Sequence, residues 1–252
     1  MPNSRVRNFS SAVCRESVDV STRVKNPTAA DDLLSSGFGR HGTILADPPW
    51  QFSNRTGKMA PEHKRLLRYS TMTLQQIMEL PVAQVALPQS HLYLWVPNAL
   101  ILEGLEVMRR WGFTYKTNIV WHKIRKDGGP DGRGVGFYFR NVTELVLFGT
   151  RGSLRTLGPG RRQVNIILTR KREHSRKPDE LYDIIEGCSP GPYLELFARH
   201  SRVNWSQWGK ETGKNVITLL VRPSATHQYR AGRTQMTLIE KKNSCQRRRG
   251  GK

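Results

Sequence analysis

Residues 42–50 read GTILADPPW. The first five are small or apolar, and their length suits a buried strand. The next four end it with an acid, two prolines and an indole. Proline fixes φ and has no N–H to give a sheet ladder, so the strand should stop where Asp47 begins. In open α/β sheets, ligands sit beyond the carboxyl ends of the strands. If GTILA belongs to such a sheet, Asp47 stands at its ligand-binding edge.

The flanking pattern supports that sheet. Residues 47–70 carry Pro, Gly, Asn and many charges and read as a long loop, a length that is usually functional or disordered. TLQQIMEL (73–80) is a helix candidate in which Thr73 and Gln76 have capping-box spacing. HLYLWVP (91–97), YKTNIVWHK (115–123), VTELVLFG (142–149) and YLELFA (193–198) read as strands. Between them, 99–113 reads as a helix that carries Arg109 and Arg110 in its last turn and stops at Gly112. KPDELYDIIEGC (177–188) reads as another, with Pro178 expected in its first turn and Leu181, Ile184 and Ile185 on its buried side. VNWSQWG (203–209) is an edge strand or a turn. Alternating strands and helices over 42–209 predict an α/β fold, a sheet with helices on both faces. Residues 1–40 are polar and weakly periodic and are expected to form an N-terminal arm.

Charge points to the partner. The 252 residues hold 41 Lys and Arg against 20 Asp and Glu, a net of +21. Such an excess repels itself unless a polyanion is the usual neighbour. Residues 151–177 carry nine basic residues and one acid, and residues 213–252 carry ten and one, so the latter read as a basic C-terminal tail. Two such blocks around a patterned core favour nucleic acid over a merely solvated surface. The Gly-rich stretch 128–136 lacks the lysine and helix of a phosphate loop. It reads instead as a nucleic-acid-facing loop, with Arg125, Lys126 and Arg133 on phosphates. No run is long and apolar enough to span a bilayer, and the N-terminus lacks a secretory h-region. Three scattered cysteines make neither a disulfide framework nor a zinc pattern, and no histidine spacing suggests a metal. A cytoplasmic setting without membrane contact is expected, at the nucleoid if the source is bacterial or phage.

The Asp-Pro-Pro-Trp cluster suits an aromatic amine on a planar ring. Asp47 is a fixed acceptor, and Pro48 and Pro49 carry no N–H, so their carbonyls are expected to point at a ligand with no local donor competing. Pro49 stiffens the turn, and Trp50 offers a flat face for stacking, as flipped bases are held. The exocyclic nitrogen of adenine is a poor nucleophile because its lone pair is delocalised. Two acceptors on its hydrogens favour the tetrahedral nitrogen that must form as it attacks. The bland alternative is a turn with a core tryptophan.

Asp-Pro-Pro-Trp resembles the catalytic motif of the MT-A70 family of S-adenosylmethionine-dependent adenine N6-methyltransferases. Further stretches fall in the family's order: YSTMT (69–73), LYLWV (92–96), NIVWHK (118–123), TELVLFGTRG (143–152), HSRKPDELYDIIE (174–186), SPGPYLELFAR (189–199) and NWSQWGKE (204–211). The resemblance covers about 42–211 and is nearest the compact prokaryotic and phage DNA enzymes. It implies a Rossmann-like class I methyltransferase sheet over 41–212, with the catalytic motif ahead of the cofactor-side motifs in a permuted order. It implies a catalytic site of Asp47, Pro48, Pro49 and Trp50, with Tyr69 lining the acceptor pocket. It places Asp47, Lys177, Arg199, Lys210 and Glu211 on the S-adenosylmethionine cofactor: Asp47 near its amino group, Lys177 on its carboxylate, Arg199 near its ribose or adenine, and Glu211 on ribose hydroxyls. Lys210 stands where many relatives carry Asn, which leaves its backbone for that contact. The implied activity is methylation of adenine N6 in DNA. The alternatives are the same chemistry on RNA, and a nucleic-acid-binding subunit of weak activity. A homodimer and a partner subunit both stay open.

Overall fold

The computed structural model describes residues 28–51, 71–132, 138–170 and 176–209. Tyr69, Arg133, Lys210, Glu211 and the tail from 213 lie outside the described residues. Seven strands form one sheet in the order β5-β3-β4-β2-β1-β6-β7. They are β1 (His41–Ala46), β2 (Ala86–Val96), β3 (Thr114–Ile124), β4 (Thr143–Arg151), β5 (Ile166–Arg170), β6 (Tyr193–Leu196) and β7 (Trp205–Trp208). β4 pairs antiparallel with both β2 and β3, and every other pairing is parallel. All strands but β4 therefore point their carboxyl ends at the same edge.

Strand alternation divides the apolar side chains between two cores. One face carries Ile44, Ala46, Leu92, Leu94, Leu147 and Leu194. Four helices cover it: α1 (Ala29–Ser35), α2 (Leu74–Met78), α3 (Val82–Val85) and α4 (Ile101–Arg110). They bury Leu33, Ile77, Val82, Val85, Val107 and Met108 against it. The other face carries Leu45, Tyr93, Trp95, Trp121, Val146 and Phe148, covered by Leu181 and Ile185 of α5 (Glu180–Cys188). Helices on both faces are thus observed.

The predicted strands and helices are present, with shifts at their ends. The capping box at Thr73 forms, the Thr73 side chain accepting from the Gln76 N–H and Gln76 Oε1 accepting from the Thr73 N–H. Pro178 stands one residue before the α5 N-cap, Asp179, rather than inside the first turn. Two elements escape the sequence pattern. α1 lies inside the stretch expected to be an arm. It starts from a Thr28–Asp31 capping box, buries Leu33 completely, and accepts the Trp208 indole N–H on Asp32 at 2.8 Å. β5 lies inside the basic stretch 151–176, where only Ile167 turns inward while Ile166 and Leu168 stay partly exposed. A short edge strand buried on one side leaves little periodic signal.

The amino-terminal edge is held by a directed chain of polar groups. Burial lowers the basicity of His91, so the ring is neutral, and both its nitrogens are bonded: Nδ1 to Ser189 Oγ at 2.8 Å and Nε2 to the Leu154 carbonyl at 3.3 Å. Since the carbonyl can only accept, Nε2 carries the proton and Ser189 donates to Nδ1. Ser189 Oγ then accepts from the Tyr93 hydroxyl at 2.7 Å. This chain ties the segment after β4 to the end of α5.

α4 lies close on its face because Gly104 meets Val96. A Cβ added at 104 would sit 2.6 Å from Val96 Cγ2 and 3.2 Å from Leu147 Cδ1. Alanine is the better helix former by about 1 kcal/mol, but overpacking a filled core typically costs about 1–3 kcal/mol. Gly104→Ala is therefore expected to destabilise the protein by about 1 kcal/mol net in urea unfolding, the opposite sign to its helix propensity.

Candidate active site

The loop after β1 leads toward β2, and the loop after β6 leads toward β7. Adjacent strands whose following loops part in this way leave a crevice between their carboxyl ends. Asp47 follows β1 at one wall, and Phe197, Ala198 and Arg199 follow β6 at the other. At the base, the Asp47 N–H points to the Leu196 carbonyl at 3.5 Å. Phe197 adopts a left-handed backbone at φ 64°, rare for a bulky residue, and so turns the chain sharply out of β6. Its ring packs edge-on against Trp208, 5.3 Å between centroids.

Charged side chains frame this crevice on the face that α5 covers. Lys177, just before α5, places its ammonium 3.3 Å from Asp47 Oδ1 and 2.9 Å from Glu144 Oε2. The same ammonium lies 4.4 Å from the Trp95 ring centroid, a cation–π contact. Lys123 pairs with the other Glu144 oxygen. Glu144 reaches this edge because β4 runs against its neighbours and so begins here. Burial alone would raise the Glu144 carboxyl, but the two lysines outweigh it and hold it down at about 2. Burial also opposes the charge on Lys177, yet Asp47 and Glu144 together raise its pKa above the usual lysine range. On β6, Glu195 accepts from the Tyr182 hydroxyl at 2.8 Å, and the Arg202 guanidinium sits 3.7 Å over the Tyr182 ring. Burial, reinforced by the Asp47 charge, pushes Glu195 up to about 7. The crevice thus offers an anionic acceptor, a cationic donor and an acid that changes charge near neutrality.

A family model described as MT-A70 matches residues 41–211 of this chain, which includes the whole sheet. The chain belongs to the MT-A70 family. It is a methyltransferase, and its sheet is the class I methyltransferase-like one of that family. It is 27% identical over 199 residues to the type II methyltransferase M.MunI of Mycoplasma sp, covering 71% of this chain and 81% of that one. A putative N(6)-adenosine-methyltransferase MT-A70-like protein of Medicago truncatula is 32% identical over 182 residues, and the human N(6)-adenosine-methyltransferase catalytic subunit METTL3 is 29% identical over 180. Each of these two alignments covers 69% of this chain but only 27% and 28% of the relative, so the chain spans about a quarter of their length.

Within the MT-A70 motif the structure separates residues that are adjacent in sequence. Asp47 faces the α5 side, whereas Trp50 turns into the opposite core, is 6% exposed, and donates its indole N–H to the Trp95 carbonyl at 2.9 Å. The open stacking face expected of Trp50 is therefore corrected: the indole is buried and anchors the turn, and Trp50 lines a cavity of about 130 Å³ with Gln51, Leu74, Leu100 and Glu103. The expectation of unengaged proline carbonyls is also corrected. Pro48 O accepts from the Trp50 N–H at 2.8 Å and Pro49 O from the Met72 N–H at 3.0 Å. A carbonyl has two lone pairs, so Pro48 keeps one for a ligand.

Lys177 comes to the crevice, where it holds two carboxylates of the protein itself, and Arg199 follows β6 in the chain. Arg125 spends its guanidinium on Asp127, at 2.9 Å, while Lys126 is exposed. The basic block divides: Arg155, Arg161 and Arg162 follow the end of β4 at the far edge, and Arg170, Arg176 and Lys177 return to the crevice edge. Glu144, Lys123, Glu195 and Tyr182 escaped the sequence reading. The one signal of the first three is an acid or lysine inside an otherwise apolar strand, as in TELVLFG and YLELFA, and Tyr182 of α5 carries none.

Glu195 makes the stability of this crevice depend on pH. Its folded pKa, about 7, exceeds the ordinary 4.5, so between those values the folded state binds more protons and loses stability as pH rises. His41 and His91, whose pKa values burial lowers, act in the opposite direction. The difference between Glu195→Gln and the parent isolates the carboxyl. The stability of the variant relative to the parent is expected to rise from pH 5 to pH 7 in thermal unfolding; a constant difference would show that Glu195 titrates normally.

Proposed function

We propose that the chain transfers a methyl group from S-adenosylmethionine to the N6 amine of adenine in DNA. The observation that carries this reading is the ion-paired Asp47 at the carboxyl end of β1, beside the crevice opened by the diverging loops of β1 and β6. The donor set suits a cofactor with an amino-acid end: Asp47 accepts from an ammonium and Lys177 donates to a carboxylate. Such a cofactor supplies a methyl group on a positively charged sulfur.

The acceptor side of the reaction belongs to the turn. Asp47 and the free lone pair of Pro48 O accept the two hydrogens of the adenine amine. That orientation points the nitrogen lone pair away from the ring plane and favours the tetrahedral nitrogen of the transition state. Trp50 and Pro49 hold the turn through the Trp95 carbonyl and the Met72 N–H. Similarity over most of the length of a type II methyltransferase supports DNA as the polymer. The similarity to N(6)-adenosine-methyltransferases supports RNA as the second reading. The net charge of +21 suits either.

Labelled S-adenosylmethionine, offered with duplex DNA, single-stranded DNA and RNA in parallel, tests the reading when the methylated base is identified after digestion. N6-methyladenine in DNA is expected. Asp47→Ala is expected to lose at least about a hundredfold in rate, the scale for one preorganised polar group, while unfolding at a temperature close to the parent's. Full activity in that variant would overturn the assignment. Truncation before Gly213 removes ten basic residues and one acid. It is expected to weaken polymer binding and flatten its salt dependence while leaving cofactor affinity unchanged.

A further inference from the structure

We propose that Tyr138 and Phe139 form a stacking platform for nucleobases flanking the target adenine, an inference that rests on the nucleic-acid reading above. Tyr138 is 95% exposed and Phe139 86%, the two largest exposures among the large apolar side chains described. Phenylalanine and tyrosine usually bury their rings, and two adjacent bare ones mark a contact surface.

Their place in the fold names the partner. The pair lies between β3 and β4, at the edge where β3 ends and β4 begins. The Lys123 N–H bonds the Val142 carbonyl at 2.8 Å, which ties the segment to that edge. Glu144, five residues past Phe139, holds the lysine that pairs with Asp47. Five residues reach at most roughly 18 Å, and stacked nucleotides rise about 3.4 Å each. With the side chains and ion pairs from Glu144 to Asp47 added, the platform is within about one duplex turn, roughly ten nucleotides, of a base at Asp47.

Charge separates nucleic acid from a protein partner. Lys126, Arg140 and Arg170 are exposed at this edge, and exposed Arg176 pairs with Asp179 at 3.1 Å. The acids beside them are engaged: Asp127 with Arg125, and Glu144 with Lys123 and Lys177. Bare aromatic rings within an excess of positive charge are the surface that single strands and splayed bases bind, because every base has a π-face and every linkage a phosphate. Extruding a base from a duplex leaves its neighbours without a stacking partner. Tyr138 and Phe139 take up those exposed faces.

The test compares the parent with Tyr138→Ala/Phe139→Ala and with Tyr138→Trp/Phe139→Trp. Methyl transfer is measured on plasmid DNA, intact and heat-denatured, with cofactor affinity and sedimentation recorded for each protein. The alanine pair is expected to lose roughly tenfold or more in kcat/KM on the intact duplex. The loss on denatured DNA should be smaller, with cofactor affinity and unfolding temperature unchanged, and the tryptophan pair should keep parental activity. A 30-nucleotide single strand should quench the added tryptophan fluorescence. This reading holds even if the parent transfers no methyl group, which would defeat the proposed activity but not the platform. Unchanged kcat/KM in the alanine pair, or absence of quenching, would overturn the platform. So would a shift in sedimentation with polymer affinity intact, which would assign the rings to a protein interface.

Discussion

One ammonium organises the crevice. Lys177 sits between Asp47 and Glu144, over the face of Trp95, and each partner comes from a different strand. Two carboxylates brought to one partly buried site would repel, and one would take up a proton. The lysine removes that cost, and with Lys123 it holds the Glu144 pKa down at about 2, so the carboxyl is ionised near neutrality. Removing Lys177 would leave two carboxylates without their shared cation, whereas loss of Asp47 leaves the lysine paired with Glu144.

That arrangement depends in turn on the direction of one strand. Only β4 runs against the rest, and only for that reason does its first turn of sequence, with Glu144, arrive at the edge where β1 ends. A parallel β4 would have carried Glu144 to the opposite edge. The same reversal sends Arg155, Arg161 and Arg162 away from the crevice, dividing a run of basic residues that is continuous in the chain.

The Asp-Pro-Pro-Trp turn works by joining two cores. Asp47 stays on the α5 face and Trp50 enters the other, so the sheet edge is gripped from both sides. The prolines make this crossing rigid, and their carbonyls take the N–H groups of Trp50 and Met72. The tryptophan therefore serves position before recognition. In the proposed reaction, recognition of the base falls to Asp47, to the open lone pair of Pro48 and to rings elsewhere on the edge.

Much of this molecule could be read from the chain alone. Apolar runs of strand length, the Thr73 capping box and the Gly112 stop are local signals, and each element they mark is present. The position of Asp47 at a carboxyl edge follows from a strand that two prolines must end. Helix α1 and strand β5 were not legible, because one buried leucine in α1 and one inward isoleucine in β5 make no period. The network of Lys177, Glu144, Lys123 and Glu195 was equally hidden. Its members are up to 72 residues apart by their numbers, and which of them meet depends on strand order and direction. Local sequence determines where a strand must stop and what stands at its end. Only the tertiary structure decides which charges meet there, because ion pairing depends on distance in space and not on separation along the chain.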